Sequence, residues 1–353
     1  MHLAGQTRAA LEQWARERGA GAGAARTLAR ALVARLAGRT NDAQPSQALL
    51  DAAAAFSLAL PSAEAVADPD GTVRFAVTLD DGAVVETVLI LQPESGTRSR
   101  ARTTVCVSSQ VGCARGCTFC ETGRLGLKRN LTAAEIVAQY AIAARYQAAA
   151  PYQAQSPDAP APRNVVFMGM GEPLDNLDEV LRAIEVLTDP LGFAVPERRI
   201  TVSTVGILPK MDELSSRSRV NLAVSLHALE PAARRSLLPI ARKYPLEELR
   251  AAIARAPRTV LLQWTLIAGV NDGDADANAI VAFARGLDVR LNLIPLNPGP
   301  LGEARAPPLE RCRAFQKRLS DAGLRTMLRM PHGQEVGAAC GQLAGARRST
   351  TWT

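Results

Sequence analysis

The sequence lacks any long apolar run, and it is poor in lysine, histidine and aromatic residues. No stretch approaches the roughly 18 uninterrupted apolar residues of a membrane-spanning helix, which argues against a membrane protein. The first forty residues hold too many arginines for the apolar core of a signal peptide. The 26 glycines and 22 prolines make up about 14% of the chain, too little for a collagenous or low-complexity protein. We therefore expect a soluble protein of the cytoplasm.

Basic residues outnumber acidic ones, and almost all of them are arginine. The formal net charge is +7, and only four of the 41 basic residues are lysines. The first 50 residues hold seven arginines and three acidic residues, a local excess of +4. Such a helical face can contact phosphates. A solvated helix surface is the slightly favoured alternative, so charge alone leaves nucleic-acid binding open.

The hydrophobic pattern divides the chain into regions. Residues 1–67 are predicted to form a helical accessory domain of two or three short helices. Residues 68–98 are predicted to form a β-hairpin, with its turn at the Asp-Asp-Gly sequence of residues 80–82, followed by a linker. Residues 99–345 are predicted to form the main domain, and residues 346–353 a C-terminal tail.

Strand-like and helical segments alternate through the main domain. The alternation predicts an α/β fold in which a parallel sheet is rolled into a full or partial barrel. Chemistry in such barrels takes place at the C-terminal ends of the strands. The predicted strands are residues 105–108, 164–168, 199–203, 221–225, 260–266, 290–294 and 325–328. Residues 147–163 are predicted to be a loop without regular structure.

Four of the six cysteines fall within fifteen residues, in a chain without secretory features, which favours metal binding or catalysis over disulfides. Cys113, Cys117 and Cys120 form a C-x3-C-x2-C run directly after a predicted strand. A structural zinc site needs four nitrogen or sulfur ligands, and no fourth Cys or His lies at finger spacing. Three thiolates suit a [4Fe–4S] cluster with one iron open to a substrate. Zinc and ordinary core cysteines are the alternatives.

The cysteine spacing resembles the signature of the radical S-adenosylmethionine superfamily. The resemblance implies a partial (β/α)6 barrel and an open iron that binds the amino and carboxylate groups of S-adenosylmethionine, whose sulfonium is cleaved by one-electron reduction. Gly171 and Glu172, after the next predicted strand, resemble the superfamily's Gly-Gly-Glu motif. Glycine lets the backbone approach a ligand closely, and the glutamate can accept a hydrogen bond from an ammonium group.

Nine ordered segments resemble the RlmN/Cfr family of radical RNA adenosine methyltransferases. They are residues 106–113, 129–136, 166–174, 199–207, 221–227, 242–248, 269–272, 292–295 and 338–343. The family implies methylation of C2 of an adenosine in 23S rRNA, with tRNA as a further target. It also implies one [4Fe–4S] cluster per chain, two molecules of S-adenosylmethionine per turnover, an electron donor such as flavodoxin or ferredoxin, and a monomer that does not bind membranes.

The resemblance also assigns roles to individual residues. Adenine C2 and C8 are poor nucleophiles, so the methyl group is first stored on a thiol. Cys340 would hold it as S-methylcysteine, Cys106 would release the product by forming a transient disulfide with Cys340, and Glu86 would accept a proton. Cys312 matches no family position and is expected to be structural. The implied cluster ligands are Cys113, Cys117 and Cys120, and the implied cofactor contacts are Gly171, Glu172, Ser203, Ser225, Leu226, His227 and Asn297.

Two segments depart from the pattern of members that methylate C2. Residues 331–336 read Pro-His-Gly-Gln-Glu-Val, where those members usually have an Arg-Gly-Asp-Asp-Ile type of segment. Residues 126–130 are closer to the Cfr branch, which methylates C8 and confers antibiotic resistance. C8 methylation of 23S rRNA is therefore the alternative function. A catalytically inactive iron–sulfur RNA-binding protein is a remote one, because Cys106, Cys340 and Glu172 are intact.

Overall fold

The computed structural model describes residues 2–38, 42–92, 101–149 and 162–344. Three helices lie near the N-terminus: α1 (Arg8–Arg16), α2 (Ala22–Leu36) and α3 (Gln47–Ala53). They match the two or three short helices predicted for this region. Their buried side chains, such as Leu11 and Leu28, belong to the same hydrophobic core as the rest of the protein. The helical region is therefore packed onto the main domain.

Three antiparallel strands follow the helices: β1 (Ser62–Ala67), β2 (Val73–Thr78) and β3 (Val84–Gln92). Strands β2 and β3 form the predicted hairpin, with pairs from Val73↔Leu89 to Thr78↔Val84. Strand β1 lies where the sequence predicted only helical structure, and it pairs with β2. Strand β1 is mostly exposed, so its side chains do not alternate between buried and exposed positions. Its residues are mainly alanine, with one each of serine, glutamate and valine, and this composition is not typical of a strand.

The main domain contributes the remaining strands that the structure describes. They are β4 (Arg102–Cys106), β5 (Gln110–Cys113), β6 (Gly126–Asn130), β7 (Asn164–Phe167), β8 (Ile200–Thr204), β9 (Asn221–Ser225), β10 (Val260–Leu266), β11 (Val289–Pro295) and β12 (Thr326–Leu328). The central strands are buried along nearly their whole length, as in β10. Such apolar runs are typical of parallel strands covered on both faces.

One ten-stranded sheet connects the hairpin to the barrel. Its order is β1-β2-β3-β4-β7-β8-β9-β10-β11-β12. Strand β3 pairs antiparallel with β4, and each neighbouring pair from β4 to β12 is parallel. The sheet has two ends, so the barrel is partial, and the predicted α/β partial barrel is confirmed. The hairpin extends the barrel sheet instead of standing apart from it. Strands β5 and β6 form a separate small sheet.

Helices connect the barrel strands, as the alternation predicts. They are α4 (Glu121–Arg124), α5 (Ala133–Ala148), α6 (Leu177–Thr188), α7 (Leu208–Arg217), α8 (Pro231–Leu237), α9 (Leu246–Arg255), α10 (Asp274–Ala284) and α11 (Leu309–Asp321). Helix α5 begins with a capping box in which Thr132 and Glu135 each bind the other's backbone N–H. Its last residues are helical where the sequence predicted a loop from residue 147.

Some predicted segments lie outside the described residues. These are residues 93–100 of the linker, residues 150–161 of the long loop, and the tail at 346–353. In the described ranges, no helix combines the length and apolar character needed to cross a membrane.

Candidate active site

A cavity lies at the C-terminal ends of the barrel strands. Its walls come from the ends of β5, β7, β8, β9, β10 and β11 and from the segment that follows β12. Ten of the thirteen predicted site residues line it: Cys113, Cys117, Cys120, Gly171, Glu172, Ser203, Ser225, His227, Asn297 and Cys340. The structure thus brings together residues that are up to 227 positions apart in the sequence.

Three predicted site residues lie behind the cavity wall. The Leu226 side chain is fully buried in the core, and only its backbone helps to shape the turn after β9. Cys106, at the end of β4, is also buried. Glu86 is buried on β3, where one oxygen accepts a hydrogen bond from Arg74 at 2.5 Å and the other from the Ala344 N–H at 2.6 Å.

The three clustered cysteines fit a polynuclear centre better than a single ion. All three face the same cavity. The described residues nevertheless contain no group of three or more His, Cys, Asp or Glu side chains close enough to hold one metal ion. Each of the three thiolates could hold a different iron of a [4Fe–4S] cluster, so they need not converge on a single point. Burial raises the pKa of the Cys113 thiol to about 12 and also raises the pKa of Cys120, so these thiols need a bound cation to ionise.

The turn after β7 depends on glycine and on a buried carboxylate. Gly171 has a φ of +102°, and a Cβ there would lie 2.7 Å from the side chain of Gln110, so no other residue fits. Glu172 is buried, and its two oxygens accept backbone N–H groups of Leu174 at 3.0 Å and Val205 at 2.9 Å. Burial raises the pKa of Glu172 to about 7.

His227 is held as a neutral hydrogen-bond donor. Its backbone has a φ of +55°, which is uncommon outside glycine. The Thr265 N–H donates to Nδ1 at 2.9 Å, so the proton of the neutral ring is on Nε2. Burial lowers the pKa of His227 to about 3. Phe119 lies in the cysteine loop, the segment that carries Cys113, Cys117 and Cys120. Its ring packs edge-on against the imidazole, with 4.7 Å between the ring centroids.

Asn271 and Gln263, which sequence reasoning missed, organise the wall around His227. The Asn271 amide donates to the carbonyls of His227 and Thr265 at 2.7 and 2.6 Å. Gln263 accepts a hydrogen bond from the Ser203 hydroxyl at 2.9 Å. Asn271 falls within a segment that resembles the family, but neither side chain has a local pattern that reveals these distant contacts.

Arg234 is a further residue that sequence reasoning missed. It lies in α8, is almost completely buried, and donates hydrogen bonds to the carbonyls of Leu226 and, at 3.5 Å, Ser225. Burial lowers its pKa to about 10. A buried guanidinium therefore fixes the turn that presents Ser225 and His227 to the cavity. In the sequence it resembles any arginine of an arginine-rich chain.

The segment with Cys340 reaches the cavity through hydrogen bonds to several elements. Asn297 donates to the Cys340 carbonyl at 3.0 Å. The Thr122 hydroxyl, on the cysteine loop, donates to the Leu343 carbonyl at 2.6 Å. The Glu121 N–H donates to the carbonyl of Gly341 at 2.8 Å. These bonds place the thiol between the cysteine loop and the end of β11.

The divergent residues 331–336 anchor this segment on the hairpin. Asp70 accepts the Gly333 N–H at 3.0 Å and pairs with His332 at 3.1 Å. Asp68 accepts the Glu335 N–H at 3.1 Å. None of the six residues lines the cavity. One of them nevertheless contacts the wall, because the Gln334 amide donates to Asn297 Oδ1 at 2.8 Å. Their departure from the family pattern therefore alters both a docking contact and the support of a wall residue.

The two thiols outside the cysteine run differ in environment. Cys340 is exposed, whereas Cys106 is buried. Burial, reinforced by the nearby Cys340, raises the pKa of Cys106 to about 12. Cys312 is buried in α11 and donates to the Pro307 carbonyl, in agreement with a structural role.

Comparisons with known proteins agree with this geometry. Residues 107–280 match the family model described as "Radical SAM superfamily". The chain is 47% identical over 82% of its length to a "Probable RNA methyltransferase" of Sorangium cellulosum, and covers 70% of that protein. It is 45% identical over 78% of its length to the "Dual-specificity RNA methyltransferase RlmN" of Syntrophobacter fumaroxidans, covering 77% of it.

A solved structure is similar over almost the whole chain. It is the crystal structure of a radical SAM methyltransferase from Sphaerobacter thermophilus, with a TM-score of 0.84 and 39% sequence identity. The similarity covers 98% of this chain and all of the other.

The raised pKa of Glu172 predicts a pH-dependent stability. Between its ordinary value of 4.5 and about 7, the folded protein keeps a proton that the unfolded chain has lost, so stability falls as pH rises through this window. In Glu172→Gln this fall should be reduced. Urea unfolding of the cluster-free protein at several pH values measures it, with exposed Glu303→Gln as control. A Glu172→Gln profile as steep as that of Glu303→Gln would contradict the assignment.

Arg234→Gln should weaken the binding of S-adenosylmethionine about tenfold or more, because a charged hydrogen bond is worth about 1.5–3 kcal/mol and a tenfold change about 1.4 kcal/mol. The turn with Ser225 and His227 would lose its buried donor. Calorimetric titration of the reconstituted protein measures this, and Arg235→Gln, the exposed neighbour on α8, is the matched control. Equal affinities of the two variants would show that Arg234 does not position the turn.

Proposed function

Because this chain belongs to the RlmN/Cfr family of radical S-adenosylmethionine RNA methyltransferases, we propose that it methylates C2 of an adenosine in 23S rRNA, with tRNA as a further substrate. The observation that supports this most is that Cys340 lines the same cavity as the three clustered cysteines. A radical formed in this cavity would meet an S-methyl group on Cys340 directly.

Residues of the cavity wall would bind the cofactors. Cys113, Cys117 and Cys120 would hold the [4Fe–4S] cluster, which supplies the electron that cleaves S-adenosylmethionine. Glu172 and the turn at Gly171 would accept the ammonium of its methionine part. Ser203, the turn 225–227 and Asn297 would contact its ribose, carboxylate and adenine. The donor Nε2–H of His227 suits an acceptor on the cofactor, since its Nδ1 is already occupied.

The exposed thiol of Cys340 would take a methyl group from a first S-adenosylmethionine by ordinary substitution. A 5′-deoxyadenosyl radical from a second molecule would remove hydrogen from the S-methyl group. The resulting methylene radical would add to adenine C2 and give a protein–RNA adduct. The adduct would lose one electron, which the oxidised cluster could accept, and one proton. Attack of the Cys106 thiolate on the Cys340 sulfur would then break the S–CH2 bond. The released carbon would take up a proton to become the methyl group, and the two cysteines would be left as a disulfide.

Glu86 would accept the proton from the adduct. Its carboxylate holds the N–H of Ala344, four residues beyond the methylated cysteine, so it lies against the segment that carries the thiol. The same carboxylate also forms an ion pair with Arg74.

C2 is favoured over C8 because none of residues 331–336 lines the cavity, although Gln334 donates a hydrogen bond to Asn297 in its wall. The Cfr-like residues 126–130 favour C8 and make it the second candidate. We further propose that the enzyme acts as a monomer in the cytoplasm, that the arginine-rich helices of residues 1–67 contact the RNA, and that flavodoxin or ferredoxin supplies the electrons.

The proposed function is tested by nucleoside mass spectrometry of rRNA and tRNA from a host that lacks its own C2 enzyme. Expression of this protein should produce 2-methyladenosine. A new 8-methyladenosine would assign the protein to the Cfr branch instead. The absence of both products, with an intact cluster, would refute methylation of these RNAs.

Cys340→Ala should still cleave S-adenosylmethionine to 5′-deoxyadenosine, because the cluster ligands are intact, but RNA methylation should be lost. Chromatography of the nucleosides measures both products from one reaction. Cys312→Ala, which removes a buried thiol outside the cavity, is the control for loss of stability. Methyl transfer by Cys340→Ala would refute storage of the methyl group on this thiol.

Cys106→Ala should trap the protein–RNA adduct, because no neighbouring thiol can attack the Cys340 sulfur. The adduct should appear as a protein band that carries RNA under denaturing conditions and disappears after nuclease treatment. In the double variant Cys106→Ala/Cys340→Ala the band should be absent. If Cys106→Ala alone yields normal product and no adduct, Cys106 does not resolve it.

A further inference from the structure

An exposed apolar surface flanked by basic residues lies directly beside the cysteine loop. It consists of residues 124–128, which we call the β6 edge. Leu125 and Leu127 are 46% and 43% exposed, which places them among the few large apolar side chains on the surface of the described structure. Exposed apolar groups gathered in this way usually mark a contact with another molecule.

The β6 edge includes the unpaired side of a strand. Strand β6 pairs with β5 only, so its other side offers unpaired backbone groups in the structure as described. The two strands approach so closely that a Cβ on Gly112 would lie 1.9 Å from the carbonyl oxygen of Gly126. Unpaired edges of this kind can accept a partner chain.

The charge of the β6 edge is positive. Arg124 and Lys128 are exposed, and neither belongs to any of the ion pairs found among the described residues. Arg129, the next residue, is by contrast paired with Glu135 and Asp81. The two free cations therefore favour an acidic partner.

The β6 edge is also close to the proposed cluster. Cys120 is the N-cap of α4, and this single-turn helix ends at Arg124. The backbone of Gly123 packs so tightly on the loop that a Cβ would lie 2.9 Å from the Cys117 carbonyl. One helical turn thus separates the surface from two of the cluster ligands.

We propose that the β6 edge is the docking surface for an acidic one-electron carrier protein. This inference rests on the proposed radical chemistry. In the docked complex the carrier loses one electron to the [4Fe–4S] cluster, and no atoms are transferred. Apolar side chains with basic residues around them suit a small, transient protein interface. An RNA backbone is less suited, because interfaces with nucleic acid are dominated by polar and positively charged groups and gain little from exposed leucines.

The test compares a protein reductant with a chemical one. Formation of 5′-deoxyadenosine without RNA is measured with flavodoxin or ferredoxin, each kept reduced by NADPH and a reductase, and with dithionite. In Leu125→Glu/Leu127→Glu and in Arg124→Glu/Lys128→Glu, the carrier-driven rate should fall about tenfold or more, as at an interface hot spot. The dithionite-driven rate should stay that of the wild type.

Met327→Glu/Met330→Glu is the matched control, because these methionines are 54% and 49% exposed but lie in a different cavity, lined by Arg102 and Arg199. It should keep both rates. In the wild type, added salt should slow the carrier-driven reaction only.

Equal carrier-driven rates in the wild type and both β6-edge variants would overturn the proposal. The proposal would also be overturned if the β6-edge variants lost the dithionite-driven rate as well. The β6 edge would then be needed to stabilise the loop that carries the clustered cysteines. The proposal would also be overturned if the wild type cleaved S-adenosylmethionine with dithionite but with neither carrier protein. The same holds if the β6-edge variants were reduced at the wild-type rate but bound RNA more weakly. Failure of wild-type cleavage with every reductant would instead refute the radical chemistry of the proposed function.

Discussion

The position of the Cys340 thiol, to which we assign the methyl group, depends on hydrogen bonds from other parts of the fold. Among the described residues that follow β12 there is no helix or strand, so no regular backbone ladder holds Cys340 in place. Asp68 and Asp70, which lie between β1 and β2, and Glu86 on β3 hold one side of the segment, and Thr122 and Asn297 hold the other. The hairpin is therefore part of the active site, although none of its residues lines the cavity.

The rest of the site follows from the parallel sheet. Because all strands from β7 to β11 end at the same side, one polar group at each end is enough to build a continuous wall. The fold adds further buried polar groups, of which Gln263 lies in that wall and Arg234 and Asn271 lie behind it. Arg234 and Asn271 bind the backbone of the turn around His227, and Gln263 orients Ser203. Because His227 is neutral, the buried ring adds no uncompensated charge to the cavity.

The sequence predicted the barrel strands well because their apolar runs are long and regularly spaced. It predicted Cys113, Cys117, Cys120 and Glu172 because their chemistry is encoded in local spacing. Strand β1 was missed because it is an exposed edge. Arg234 and the pairing of Glu86 with Arg74 could not be predicted, because each depends on which residues meet after folding. The resemblance placed Leu226 in the site, whereas its side chain is in the core and only its backbone shapes the turn.

Glu86 and Ala344, which share a hydrogen bond, are 258 residues apart in the sequence. This separation determines the order in which parts of the site are synthesised. The cysteine run and most of the barrel leave the ribosome before the last anchor of the thiol segment exists. Closing so long a loop costs entropy and comes late in folding. A nascent chain can therefore present its cluster ligands before it presents a seated Cys340. The active site can therefore be completed only after Ala344 has been synthesised.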